Sequence, residues 1–175
     1  MSALSLLTKP APSDSFVDPA AFRAGMREFA AGVTIITTGA GAERRGLTAT
    51  AVCSMSIEPP SLVACVQVTA AAHAEIVRSG RFAVNMLAAD QEPLARRFAG
   101  MTGVHGAERF DEGNWTTLET GVPVLADAVT AFDCVVIAAI DRGTHTLFIG
   151  GVKAVRTDAA RPSLIHRSAA FTTLA

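Results

Sequence analysis

Apolar residues recur at every second position along most of this chain and at helical spacing in only three short stretches. The sharpest alternation runs from Leu47 to Ile57. Leu47, Ala49, Ala51, Cys53, Met55 and Ile57 form one set. Thr48, Thr50, Val52, Ser54 and Ser56 form the other, and all of these but Val52 carry a hydroxyl. Successive strand residues point to opposite faces. The segment therefore predicts one strand with an apolar side for a core and a hydroxyl side for water or a polar ligand. VTIITT at 33–38 and LTATAVCSM at 47–55 read as a hairpin around the glycine-rich loop 39–46. SLVACVQV at 61–68 follows Pro59-Pro60, a pair that does not fit a central ladder, and RFAVNML at 81–87 is a further strand. Residues 131–140 and 145–156 predict a long hairpin turning at Asp141 to Thr144, with a short strand at 115–118 before it.

The helical stretches are brief. Asp18-Pro19 sets an N-cap before a proline at the first helical position, Phe22, Met26 and Phe29 share a face, and Gly32 closes a helix over 19–30. HAEIVRSG at 73–80 and an Asp90-capped DQEPLARRFAG are two more. Residues 1–17, with Pro10 and Pro12, read as a flexible N-terminal arm and 18–175 as a single domain. Many strands in hairpins with few short helices predict a mainly β fold, a closed or nearly closed antiparallel barrel. A parallel doubly wound sheet would need long crossover helices, which the pattern lacks.

Composition narrows the partners. A length of 175 residues suits one domain with a substantial core. A net charge of −1 leaves no electrostatic footprint for nucleic acid or an anionic membrane surface. No apolar run is long enough to span a membrane, and the start MSALSLLTKP lacks the pattern of a secretory signal. Hydrophobic residues make up 50% of the chain, and the 14 glycines add to an already apolar sequence. Ordinary domains reach about 45–50% with glycine included. The surplus predicts an apolar surface covered by a second copy or a cofactor. Cys53, Cys65 and Cys134 each lie in an apolar run and read as reduced core thiols of a cytoplasmic protein; no CxxC or HxxxH spacing predicts a metal site.

Three motif readings fail. Gly39 to Gly46 has the spacing GxGxxxxG, and a strand follows it where a dinucleotide fingerprint needs a helix. There is no P-loop or HExxH, and no GxSxG elbow.

Residues 46–66 fit G-x-T-x-x-x-h-x-S-h-S-x-x-P-P-S/L-h, where h is apolar. This stretch resembles the signature of the flavin reductase-like family. FAAGVTIITT, GRFAVNML, Asp90-Gln91 through Phe98, GVPVLADAVTAFDC and THTLFIGGV resemble further segments of the family, in its order, over roughly residues 25–171. The resemblance implies an FMN-binding split barrel, an antiparallel Greek-key fold that forms a homodimer with flavin near the subunit interface. It implies electron transfer from NADH or NADPH to FMN or FAD, with reduced flavin passing to a partner monooxygenase. Two alternatives stay open: reduction of another acceptor, such as a corrinoid or a ferric complex, and a non-catalytic flavin- or haem-binding module.

The resemblance also assigns residues. Thr48, Thr50, Ser54 and Ser56, with the backbone of Ala51, Val52 and Cys53, become candidate flavin contacts, because neutral hydroxyls match the rim of carbonyls, ring nitrogens and ribityl hydroxyls. Asn85, inside a strand, is either a flavin contact or a bridge to neighbouring backbone. Arg81, Arg96 and Arg97 are candidate phosphate partners or solvated charges, and Trp115 a packing residue or a stacking platform. His145, at the head of the last long strand, matches the family's nicotinamide-side histidine. At Ala72 a phosphate-side hydroxyl common in the family is absent, and His166 and Phe171 stand where a tyrosine pair is usual.

Overall fold

The computed structural model describes residues 16–158 and 160–173. All but the last two residues of the expected arm at 1–17 lie outside them. The elements run α1 Pro19–Arg27, β1 Ala31–Gly32, β2 Thr34–Thr38, β3 Arg45–Ala49, β4 Val52–Ile57, β5 Pro60–Gln67, α2 Ala71–Ser79 and β6 Arg81–Met86. Then come α3 Glu92–Phe98, β7 Trp115–Thr117, β8 Pro123–Leu125, β9 Thr130–Arg142, β10 His145–Thr157, β11 Leu164–Arg167 and β12 Ala170–Thr173. No helix among the described residues is long and apolar enough to cross a membrane.

Seven strands form one antiparallel sheet in the order β3-β2-β6-β9-β10-β5-β4. The two outer strands, β3 and β4, are consecutive in the chain, with only Thr50 and Ala51 between them. So short a link reaches about 10 Å at full extension. The sheet must therefore curl until its edges nearly meet. The barrel is closed by the chain itself and is split where no ladder joins β3 to β4.

This geometry corrects the reading of 47–57 as one strand. The chain turns a corner at Thr50–Ala51, and the alternation changes phase there. Leu47 and Ala49 face the interior before the corner, and Val52 faces it afterwards. Met55 and Ile57, expected in the core, are 56% and 92% exposed. Cys53 is exposed and Cys65 half-buried, so only Cys134 is a core thiol; burial pushes its pKa up to about 12 and keeps it an inert neutral group.

Strand β2 shows how the layers form. All five of its residues are buried. Ile36 points into the barrel with Phe82, Val84 and Phe148, while Ile35 points outward to Leu87, Leu94, Phe98 and Phe110 beneath α3 and the 106–111 turn. Gly150 is required where β10 crosses this interior: a Cβ there would lie 2.5 Å from the Phe82 ring. Trp115 joins the outer cluster, 4.9 Å from Phe110 and 5.5 Å from Phe98 between ring centroids, which settles it as a packing residue.

The boundaries of all three helices differ from expectation. Helix α2 starts at Ala71, two residues before His73. Helix α1 ends at Arg27 rather than Ala30, because Ala31–Gly32 is drawn into pairing with β11. Asp90 does not cap α3; its carboxylate receives Arg161 at 2.6 Å, and a short 3-10 turn over Ala89–Gln91 leads into the helix.

Candidate active-site cleft

Strand β3 forms the floor of a cleft of about 390 Å³, walled by the start of α2, the end of α3 and the 105–109 turn. Gly46 lets these elements close in, since a Cβ there would meet the Phe98 ring at 2.7 Å. Two guanidinium groups, Arg45 and Arg109, line it. Arg109 donates to the carbonyls of Val104, Gly46 and Phe98 at 3.0, 3.1 and 3.0 Å. It has no carboxylate within ion-pair distance among the described residues, and burial pulls its pKa below the ordinary arginine value. Arg45 donates to the carbonyls of Ala42 and Arg44 and lies 3.4 Å from Glu43. Opposite them, α2 starts after Ala70 with no side-chain cap; Ala70, Ala71 and Ala72 line the cleft, and the His73 N–H already donates to the Ala70 carbonyl, so the Ala71 and Ala72 N–H groups are the uncapped ones. Ala72 lines the cleft there and offers no hydroxyl. An uncapped helix start facing two arginines favours an anion.

The cleft continues along β3. Thr48 and Ala99 are shared with a smaller hollow of about 200 Å³ that also contains Thr50, Met101, His166 and Phe171. Thr48 donates to the Ala95 carbonyl at 2.6 Å, which ties β3 to α3 and leaves the hydroxyl oxygen as an acceptor. His166 and Phe171 meet edge to face, 5.7 Å apart, with the Arg96 guanidinium 5.2 Å from the Phe171 ring centre. Around the corner, Val52, Cys53, Ser54 and Ser56 line a third, mostly apolar groove of about 380 Å³.

The candidate residues are thus distributed. Thr48 and Thr50 lie along the cleft and its extension, Ala51 is in the corner, and Val52, Cys53 and Ser54 stand beyond it. Ser56 closes the β4–β5 turn locally, accepting from the Glu58 N–H at 3.1 Å. Asn85 is 0% exposed, and its amide is committed: it donates to the Ile35 carbonyl and the Thr37 hydroxyl at 2.9 and 3.1 Å and accepts from the Leu125 N–H at 2.8 Å. That is the bridging alternative, and it leaves no N–H for a ligand. His145 is exposed, with Nδ1 2.9 Å from the Thr144 hydroxyl; it does not line the cleft, but its β5 register partner Gln67 does.

Arg81, Arg96 and Arg97 are all absent from the cleft wall. Arg81 donates to the Thr120 carbonyl, Arg96 to Glu92, and Arg97 to Glu112 and the Glu108 and Arg109 carbonyls. The residues that sequence reasoning missed are Arg45 and Arg109. Arg45 stood in a loop read only as a turn, and Arg109 in an aperiodic stretch. The one available signal was a cation followed by an aromatic anchor, Arg109-Phe110.

Comparison with known proteins identifies the family and the fold. Residues 26–175 match the family model described as the flavin reductase like domain. The FMN reductase (NADH) RutF of Agrobacterium fabrum is 41% identical over 145 residues, which cover 83% of this chain and 82% of the relative. The NADH:FAD oxidoreductase SgcE6 of Streptomyces globisporus, solved in complex with NAD and FAD fragments, superimposes with a TM-score of 0.82 at 34% identity, covering 91% of this chain and 96% of the other. BorF, the flavin reductase component of a bacterial two-component tryptophan halogenase, gives a TM-score of 0.82 at 32% identity, covering 90% of this chain and 98% of the other.

Proposed function

Because the chain belongs to the flavin reductase-like family, we propose that it transfers hydride from NADH or NADPH to FMN or FAD, with the anionic end of the flavin in the cleft between α2 and Arg109. The observation that carries this placement is Arg109 itself, a half-buried guanidinium without a carboxylate partner among the described residues, facing an uncapped helix start. Such a group matches a phosphate in charge, and with Nε and Nη1 committed to carbonyls its two Nη2 N–H groups remain to donate. From that end, Thr48 and Thr50 and the corner at Ala51 lead toward Ser54, a run of hydroxyls and backbone suited to the polar rim of a flavin.

Bound flavin supplies the redox chemistry by accepting hydride from the nicotinamide. The chain's own task is to hold two flat rings at reacting distance and to limit water between them. No side-chain acid or base is required, which agrees with a site of hydroxyls, backbone and arginines. His145 serves the nicotinamide side, where an imidazole hydrogen-bonds the carboxamide and orients the ring. FMN and NADH are the first pair to test, since they are the flavin and donor named for the RutF relative.

The working unit is a homodimer. Phe22, Phe29 and Ile57 are 59%, 67% and 92% exposed, and α1 buries none of its residues within the chain. Apolar surface of this kind calls for a partner. A monooxygenase takes up the reduced flavin; BorF, the reductase component of a two-component tryptophan halogenase, is one precedent for such a division of labour between two proteins.

Steady-state NADH consumption with and without added FMN or FAD tests the activity. Turnover that depends on flavin is expected. Consumption that ignores flavin, or none with either flavin, would sink the proposal.

A further inference from the structure

The tip of the β9–β10 hairpin is bound to α2 by a chain of three side chains. His73 Nε2 lies 2.8 Å from the Thr146 hydroxyl, which donates to the Asp141 carboxylate at 2.6 Å. Thr146 is 1% exposed, and the His73 ring packs 5.4 Å from that of Phe148. A threonine hydroxyl has one proton and an ionised carboxylate only accepts. Thr146 spends its proton on Asp141, so it must accept from His73, and the Nε2 nitrogen of His73 carries a hydrogen. The direction of the chain is fixed: His73 to Thr146 to Asp141.

Its position gives it a use. His73 is in the first turn of α2, beside the Ala70–Ala72 segment that walls the cleft. Thr146 adjoins His145 on β10, and successive strand residues face opposite ways, so Thr146 points inward to α2 while His145 points out. A second tie runs alongside, from the Val68 N–H to the Thr144 carbonyl at 3.0 Å.

We propose that His73 is a positioning residue for hydride transfer: through Thr146 it holds the hairpin tip carrying His145 at a set place relative to the helix start that receives the flavin's anionic end. The inference rests on the reading of His145 as the nicotinamide-side group. Loss of the chain lets the tip shift while the cleft keeps its walls, and hydride transfer tolerates little misplacement.

The test compares His73→Leu, His73→Gln, Thr146→Val and His145→Ala in the full-length protein. FMN affinity, the KM for NADH, kcat and the melting temperature are measured for each. His73→Leu and Thr146→Val should raise the KM for NADH about three- to tenfold, the size of one neutral hydrogen bond, with FMN affinity within about twofold of wild type. His73→Gln, which keeps an N–H near Nε2, should restore the KM, and the His73→Leu, His145→Ala double variant should be no worse than His145→Ala. A defective His145→Ala alongside wild-type His73→Leu and Thr146→Val overturns this inference alone. A wild-type His145→Ala removes the reading beneath it. Equal loss of FMN and NADH binding with a lower melting temperature marks a structural role only, and also overturns it.

Discussion

Arg109 and Asn85 show what a single residue's surroundings decide. Both are polar groups drawn out of water, but their partners differ in kind. Asn85 meets every donor need within the chain. Replacing it with alanine leaves the Leu125 N–H unpaired and removes the side-chain donor from the Ile35 carbonyl, which keeps its place in the β2–β6 ladder; one buried group left unpaired costs about 1–3 kcal/mol. Asn85→Ala should therefore lower the melting temperature, and any surviving folded protein should bind FMN normally; a stable variant that has lost FMN would return Asn85 to the ligand. Arg109 meets only carbonyls and keeps its full charge for something else. A charged hydrogen bond is worth about 1.5–3 kcal/mol, or roughly ten- to 150-fold in affinity. Arg109→Ala should weaken FMN by that factor and leave riboflavin, which lacks the phosphate, nearly unchanged. Equal weakening of both would place Arg109 in the scaffold. Sequence could pose the Asn85 alternatives but not choose, because the choice lies with partners 40 to 50 positions away. Arg109 carried only one local sign, the aromatic anchor Phe110 that follows it.

At the scale of elements, the sequence was most legible where a strand pairs within a hairpin and least where it changes sheet edge. The β9–β10 hairpin and the β2–β3 hairpin follow directly from alternation and turn residues. The corner at Thr50–Ala51 did not, because its one local sign, Val52 in place of a hydroxyl residue, is equally compatible with a continuous strand. Only the barrel's closure makes the chain turn there, and closure is a property of seven strands together. The consequence is that the hydroxyls of this segment divide: Thr48 and Thr50 before the corner, Ser54 beyond it in the apolar groove. A flavin that follows the corner touches both. Ser54→Ala should then weaken FMN about two- to twelvefold, one neutral hydrogen bond. Isothermal titration would show it; unchanged affinity means the flavin stops short of β4. The 3-10 turn before α3 was hidden for a similar reason: Asp90 has the chemistry of a cap, and its long-range pairing with Arg161 outweighs it.

For the whole molecule, an apolar excess visible in composition reappears as exposed side chains on α1 and β4. These side chains mark the surface on which the homodimer is proposed. Light scattering should give about twice 18.1 kDa at micromolar concentration, and Ile57→Asp should shift the population to monomer. A wild-type monomer would contradict the dimer. The central claim is the hydride transfer, and its most direct measurement is anaerobic mixing of the purified protein and FMN with NADH while the flavin's visible absorbance is followed. The account predicts bleaching that is rapid, saturates with NADH, and turns over more FMN than there are protein chains. Flavin that binds and stays oxidised under NADH would contradict it, leaving a binding module on a reductase fold.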